Sequence, residues 1–150
     1  MPDITPKRRV FFSFHYQRDI WRVNQVRNAG VVDAQAAAGW ADASLWERAR
    51  LSGDAAVKRL IDLGLEGTTV TVVLIGAETA QRRYVNYEVQ KSIERRNGIL
   101  GVRIHLLLDQ FQRADPPGEE PVGLIAMGTP VYDYDRNSFG RWVQAAFEAS

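Results

Sequence analysis

Glu88 is the residue of this sequence whose type and position best suit it for chemistry. At about 100 degrees per residue, Tyr84, Glu88 and Ser92 form one line along a predicted helix, at the edge of its apolar stripe. A carboxylate in that position can face a ligand cleft and stabilise positive charge that develops on a substrate. The same spacing is typical of a glutamate that solvates a helix flank or pairs with Lys91 or Arg95, so both interpretations stay open.

A second group of candidates, Ser13, Phe14, His15 and Tyr16, lies where the first predicted strand ends. In open α/β sheets the loops after the strands meet at one edge, so these side chains would border the same cleft as Glu88. Each also has an ordinary structural role. Phe14 would be a core residue, Ser13 a turn former, and His15 and Tyr16 half-exposed residues of a rim. We weigh these roles equally with ligand binding.

Several other chemistries lack the residues they need. The sequence has no GxGxxG, GxxxxGK[ST], GxSxG or HExxH motif, which disfavours a phosphate-loop ATPase and a zinc hydrolase. Cysteine is absent, so a thiol nucleophile and thiolate metal ligands are excluded. The histidines, His15 and His105, fall on different predicted strands with no nearby acidic spacing. We therefore predict neither a metal site nor a resident cofactor.

Two further patterns have simpler explanations. The paired arginines at 82–83 and 95–96 are typical of solvated helix faces rather than phosphate contacts. Trp40 and Trp46 are interpreted as packing residues, with a mobile lid over the cleft as the alternative.

Composition limits the class of protein. The chain has 150 residues, of which 45% are hydrophobic and 25% charged, and its formal net charge is +1. These values predict one globular domain over residues 1–150. So weak a positive balance gives no reason to expect binding to nucleic acid or to a membrane surface. No segment resembles a secretory signal or a membrane span, so we expect a cytoplasmic protein.

Strand-like and helix-like segments alternate along the chain. Strands are predicted at 8–14, 31–32, 69–75, 102–108 and 131–134, and helices at 18–29, 54–64, 79–97 and 139–147. The stretches 33–51 and 109–120 are predicted as loops, the first with one helical turn. This alternation predicts a three-layer, flavodoxin-like α/β fold with a mainly parallel sheet, and the continuous apolar run at 69–75 predicts its central strand.

Taken together, segments 8–21, 68–98 and 102–108 resemble the TIR-like domain family related to the sensor subunit of bacterial Thoeris antiphage systems. The most specific part is the combination of SFHYQRD with VVLIGAET and the following YVNYE. The resemblance implies a TIR-type flavodoxin-like fold. It also implies cleavage of the nicotinamide N-glycosidic bond of NAD, as substrate, to make a cyclic or otherwise modified ADP-ribose signal for antiphage defence.

The same resemblance implies roles for individual residues. Glu88 matches the catalytic glutamate of such enzymes, and Tyr84 matches a position that often places an aromatic ring against the nicotinamide. Residues 13–16 match the first-strand loop that borders the substrate pocket. The partners that the resemblance implies are like domains, through self-association, and an effector protein that responds to the small-molecule signal.

One departure from the family pattern keeps two alternatives open. The proline-glycine motif that many TIR domains carry after the second strand is absent from 33–51, and DPPG at 115–118 comes too late to replace it. Because that loop often mediates assembly, a non-catalytic TIR module that signals by oligomerising is one alternative. A nucleoside deoxyribosyltransferase-like enzyme, which also places a glutamate at an N-glycosidic bond, is the other.

Overall fold

The computed structural model describes residues 7–37 and 44–150. Within these ranges five strands form one sheet, β1 (Arg9–Ser13), β2 (Asp33–Gln35), β3 (Val70–Ile75), β4 (Gly98–Arg103) and β5 (Val131–Asp133). All neighbours are parallel, and the strand order is β2-β1-β3-β4-β5. Every residue of β3 is buried, which fits its continuous apolar sequence and its central place.

Helices cover both faces of the sheet. They are α1 (Tyr16–Asn28), α2 (Ser44–Ser52), α3 (Asp54–Leu65), α4 (Arg83–Glu94), α5 (Val122–Met127) and α6 (Arg136–Glu148). On one face α1 and α6 share a core with β1, β3 and β4. On the other face α2 and α3 pack on Phe11, while α4 and α5 pack on Val73 and Ile75. The predicted three-layer, flavodoxin-like α/β fold is therefore confirmed.

The alternation of side chains along β1 determines what reaches each layer. Val10 and Phe12 belong to the core beneath α1 and α6, whereas Phe11 faces α3. Successive strand residues point to opposite faces, so Ser13 shares the face of Phe11 and reaches α4. The last residue of β1 is thus aimed at the helix that carries Glu88.

The predicted positions of two strands are wrong. The second strand is not Val31 and Val32 but the polar segment Asp33–Gln35, which pairs at the sheet edge with Arg9–Phe11. The fourth is not 102–108 but Gly98–Arg103. Glycine is depleted in strands, so the glycines of this segment weaken its strand pattern in the sequence. Position 98 is a glycine because a side chain there would collide with the backbone of α6 at Ala146.

The helix predictions also need correction. The predicted loop 33–51 contains β2 and the helix α2, and α5 was not predicted at all. Among the described side chains, Trp46 and Ala49 are the buried hydrophobics of α2, and Leu124 is the buried residue of α5. Residues 38–43, including Trp40, lie outside the described ranges.

The helix predicted over 79–97 begins later than expected. Thr79–Gln81 form a 3-10 turn, Arg82 is extended, and α4 follows from Arg83. The hydroxyl of Thr79 accepts the N–H of Gly76 at 2.7 Å, so Thr79 closes the turn after β3 instead of capping α4.

None of the helices in the described part of the chain is long and apolar enough to span a bilayer.

Candidate active site

The carboxyl group of Glu88 lies on the floor of a small pocket between the end of β1 and the first half of α4. Its side chain is held at the boundary of two layers, and the residue is only 4% exposed. The Ser13 hydroxyl donates a hydrogen bond to Oε1 of Glu88 at 2.8 Å. The predicted line of Tyr84, Glu88 and Ser92 therefore faces the interior of the protein, and Glu88 and Ser92 are buried.

Burial determines the charge of this carboxyl group. Removal from water raises the pKa of Glu88 to about 8, and the Ser13 hydrogen bond acts in the opposite direction without overcoming it. No cation contributes to the shift. At neutral pH the carboxyl group in this closed pocket is mostly protonated, and a cationic ligand placed beside it would favour the ionised form.

Aromatic rings form the walls of the pocket. Phe14 stacks on Tyr16 with ring centroids 5.5 Å apart, and Tyr16 stacks on Trp46 at 5.4 Å. Trp46 then meets the edge of Tyr84 at 5.9 Å with an interplanar angle of 84°. This aromatic chain, from Phe14 through Tyr16 and Trp46 to Tyr84, connects the loop after β1 with α2 and α4 across the pocket.

The hydroxyl of Tyr84 has a partner outside the pocket. It donates to Oδ1 of Asp54 on α3 at 3.1 Å, and Asp54 also pairs with Lys58 and Arg83. Burial, and then the hydrogen bond to this carboxylate, raise the pKa of Tyr84. The ring is therefore held in place by α3 while its edge meets the tryptophan.

Polar groups border the pocket at His15, Gln17 and Arg82. His15 begins α1, because its Nδ1 accepts the backbone N–H of Arg18 at 3.3 Å. Burial lowers the pKa of His15, and the positive charge of Arg82 lowers it further. The imidazole is thus neutral at pH 7 and, with Nδ1 accepting, carries its proton on Nε2.

The pocket is small. Its free volume is about 30 Å³, which leaves room for about one water molecule, whereas pockets that hold drug-sized ligands enclose roughly 300–1,000 Å³. Two grooves elsewhere are larger, at about 580 and 850 Å³, but no acidic side chain lines either of them. We place the candidate site at Glu88 because this pocket contains a buried carboxyl group, whereas the two larger grooves have no acidic side chain.

A buried ion-pair cluster around Arg22 fixes the neighbouring loop. The guanidinium group, on a residue 1% exposed, lies 3.0 Å from both Asp19 and Asp115. It also donates to the carbonyl oxygens of Leu107 and Arg113, so it holds the loop after β4 against α1. A side chain at Gly76 would collide with the Asp19 carboxylate, which explains the glycine at the end of β3.

Comparison with known proteins assigns this chain to a family. Residues 11–109 match the family described as Thoeris protein ThsB, TIR-like domain. The chain belongs to that family. The predicted resemblance is thereby confirmed, and the matched range includes the end of β1, all of β3 and α4, and the pocket they build.

A relative within the ThsB family comes from Bacillus cereus (strain MSX-D12) and is named "Putative cyclic ADP-D-ribose synthase ThsB1". It is 52% identical over 116 residues, which make up 76% of this chain and 60% of the relative. The chain thus spans less than two thirds of the relative's length.

In this ThsB family member the predicted site residues converge, but they do not have equal access to the pocket. Phe14, His15, Tyr16, Tyr84 and Glu88 all line it. Ser13 does not line the pocket, because it is fully buried beneath the wall and reaches only the carboxyl group.

Sequence reasoning missed Gln17, Trp46 and Arg82, which also line the pocket. The sequence predicts packing for Trp46, with a lid over the cleft as the alternative; the ring packs on α3 and also forms part of the pocket wall. The sequence predicts a solvated helix face for Arg82; the residue is exposed, but it precedes α4 and lines the pocket. The extended backbone before α4 gave no sequence signal.

The two histidines are placed apart, each just after a strand rather than within one. Within 7–37 and 44–150, no group of three or more histidine or acidic side chains is arranged to hold a metal ion.

Proposed function

We propose that this ThsB family member cleaves the bond between nicotinamide and ribose in NAD and releases an ADP-ribose-derived product, possible forms being linear and cyclic. The observation that carries the proposal is the carboxyl group of Glu88 on the floor of an aromatic-walled pocket. The printed name of the Bacillus cereus relative, a cyclic ADP-D-ribose synthase, supports the cyclic form. A role in antiphage defence is proposed on the family assignment.

The charge of the substrate suits the carboxyl group. The nicotinamide ring of NAD is cationic, so its arrival beside Glu88 favours loss of the carboxyl proton. As the C1–N bond breaks, the ring takes the bonding electron pair and leaves neutral, and positive charge moves to the ribose C1 and ring oxygen. The Glu88 carboxylate stabilises that oxocarbenium-like state, as a carboxylate does in glycoside hydrolysis.

The nucleophile then decides the product. Water attacking C1 gives ADP-ribose and a proton, whereas a hydroxyl or base nitrogen of the same molecule gives a cyclic product and a proton. No redox step is involved in either route. We expect residues 14–16 and Tyr84 to orient NAD, because their rings surround the carboxyl group.

Substrate entry requires the pocket to open. A free volume of about 30 Å³ does not admit a nicotinamide ring, so the aromatic chain has to separate at one of its contacts. So small a pocket also favours the second candidate function, a TIR module that signals by self-association without turnover.

The deciding experiment incubates the purified protein with NAD, at high protein concentration and with or without lysate from phage-infected cells. Nicotinamide and ADP-ribose products are followed by chromatography and mass spectrometry. Release of nicotinamide supports the enzyme, and the product mass separates ADP-ribose from its cyclic forms. Concentration-dependent assembly with no NAD loss favours the interaction module, and base release from deoxynucleosides alone favours a deoxyribosyltransferase-like activity.

Tyr84→Ala is expected to reduce kcat/KM for NAD about tenfold, because an aromatic contact is worth about 0.5–1.5 kcal/mol. Tyr87→Ala is the matched control. It lies on the same helix and also donates its hydroxyl to an aspartate of α3, Asp62, but it does not line the pocket. Steady-state NAD kinetics of both variants test the prediction, which an equal loss in the two would contradict.

Trp46→Leu is expected to raise kcat/KM for NAD severalfold. The change removes both ring contacts that hold the aromatic chain closed, at a cost in stability of about 2–4 kcal/mol. Trp142→Leu is the control, since Trp142 stacks on Tyr132 at 4.3 Å in the layer on the other face of the sheet. Turnover and thermal melts are measured for both. A fall in turnover for Trp46→Leu alone would mean that the ring binds substrate.

A further inference from the structure

Ser13 has no contact with the pocket, yet it is directed at the group on which the proposed chemistry depends. Its exposure is 0%, and it ends β1 opposite Val73 of β3. From there its hydroxyl donates to Oε1 of Glu88 at 2.8 Å. Among residues 7–37 and 44–150, this is the one hydrogen-bond partner of the carboxyl group.

We propose that Ser13 is a positioning residue that sets both the orientation and the ionisation of the Glu88 carboxyl group. The inference rests on the proposed function for its catalytic consequence, but the hydrogen bond between Ser13 and Glu88 does not depend on that function. Ser13 acts through Glu88 and does not touch the substrate.

The orientation argument follows from the shape of the site. A glutamate side chain reaches its carboxyl group through flexible torsions, and five of the eleven residues that line this pocket are Phe, Tyr or Trp. A single donor on a rigid strand therefore selects the rotamer that keeps one oxygen on Ser13 and leaves the other for the ligand. A strand provides this better than a loop, because Ser13 is held in register opposite Val73 of the central strand β3.

The ionisation argument follows from the surroundings of the carboxyl group. Beside Glu88 the pocket presents His15, Tyr16, Arg82 and Tyr84, with Asp54 behind Tyr84. On the other packed elements, β3 has no titratable side chain, and Glu47 of α2 is exposed and bonded to Arg50. None of these groups shifts Glu88, and the Ser13 hydroxyl is the one group that favours its anion.

Removing the hydroxyl should thus act on the rate step rather than on binding. Ser13→Ala is expected to lower kcat about 10- to 100-fold, with KM unchanged within about twofold, since a hydrogen bond to a charged group is worth about 1.5–3 kcal/mol. The ascending limb of the pH–rate profile should move to higher pH by about one unit. A merely structural defect would not move that limb.

Two further variants isolate the hydroxyl. Ser13→Thr keeps the donor on a residue type that suits a strand and is expected to restore most of kcat; Ser13→Cys, with a weak S–H donor of similar size, serves if threonine does not fold. Ser92→Ala is the matched control. It removes a buried hydroxyl of α4 that bonds Thr71 and the backbone oxygen of Glu88, but not the carboxyl group.

The test that does not depend on turnover is titration of Glu88 by NMR of ¹³C-labelled glutamate. The proposal expects the pKa of Glu88 to rise in Ser13→Ala and to stay near the wild-type value in Ser13→Thr and Ser92→Ala. That result supports the positioning role even if NAD is not cleaved, in which case only the proposed function fails. An unchanged Glu88 pKa in folded Ser13→Ala overturns the inference, whatever the activity.

Discussion

Glu88→Gln is expected to abolish NAD cleavage and, at the same time, to make the protein more stable. Loss of the carboxylate removes the group that balances positive charge in the transition state, so turnover should fall at least about 10³-fold. The amide has the same shape and still accepts the Ser13 hydrogen bond, so the fold is kept. Chromatographic NAD turnover and thermal melts of the same preparation measure both effects.

The stability gain follows from the pKa of Glu88. The ordinary value of 4.5 is raised to about 8 in the folded protein, so below pH 4.5 the group is protonated in both states and costs nothing. As the pH rises from 4.5 through 8, the folded state holds a proton that the unfolded state has released, and the wild type loses stability. At about 1.36 kcal/mol per unit, the loss approaches roughly 3 kcal/mol at pH 7.

Glutamine does not ionise, so Glu88→Gln should melt several degrees higher than the wild type at pH 8 and equally at pH 4.5. Glu94→Gln provides the control, because Glu94 lies on the same helix, is exposed and pairs with Lys91. Its melting temperature and NAD turnover should stay near the wild type. A Glu88→Gln variant that melts lower than wild type at pH 8 would contradict the pKa argument.

Arg22→Ala is expected to cost about 3–5 kcal/mol of unfolding free energy, because it leaves the buried carboxylate of Asp19 without its cation. Asp19, which is 0% exposed, would lose its ion pair, and the loop after β4 would lose two backbone contacts. Burial already raises the pKa of Asp19. The cost should therefore shrink at acidic pH, where Asp19 takes up a proton, and urea unfolding at two pH values measures this difference.

Arg18→Ala is the matched control for that experiment. Arg18 lies one helical turn before Arg22 and also pairs with Asp115, but its side chain is 38% exposed. Exposed pairs contribute about 0–1 kcal/mol, so a small loss is expected. Equal losses of unfolding free energy in the two arginine variants would show that burial does not increase the contribution of the Arg22 ion pairs to stability.

Strong periodic patterns let the sequence predict most of the fold. The run at 69–75 and the lines of α4 depend on local apolar spacing, and both hold. The predictions fail where local pattern and tertiary packing disagree. β4 starts with a glycine that only the approach of α6 explains, and β2 is a polar edge strand whose residues are specified by pairing with β1.

The features of the candidate site also differ in whether local pattern or tertiary packing determines them. Helical spacing predicted the place of Glu88 at the edge of the apolar stripe, but it left a pocket-facing and a solvated carboxylate both open, and packing against β1 decides between them. The hydrogen bond from Ser13 depends on which face of β1 meets α4, and the pocket wall at Trp46 depends on how α2 packs against Phe11 and α3. Those contacts join residues far apart in the chain, so no local pattern could indicate them.

Under the proposed function, the aromatic chain from Phe14 to Tyr84 also limits the rate at which the protein cleaves NAD in the absence of a stimulus. Turnover without a stimulus is proportional to the fraction of molecules whose pocket is open. That fraction falls tenfold for each additional 1.4 kcal/mol, approximately, by which the closed state is favoured. Ring contacts worth about 0.5–1.5 kcal/mol each suffice to hold that population low. A resting cell can then store the protein ready-made without draining its NAD, and a stimulus has only a few weak contacts to overcome.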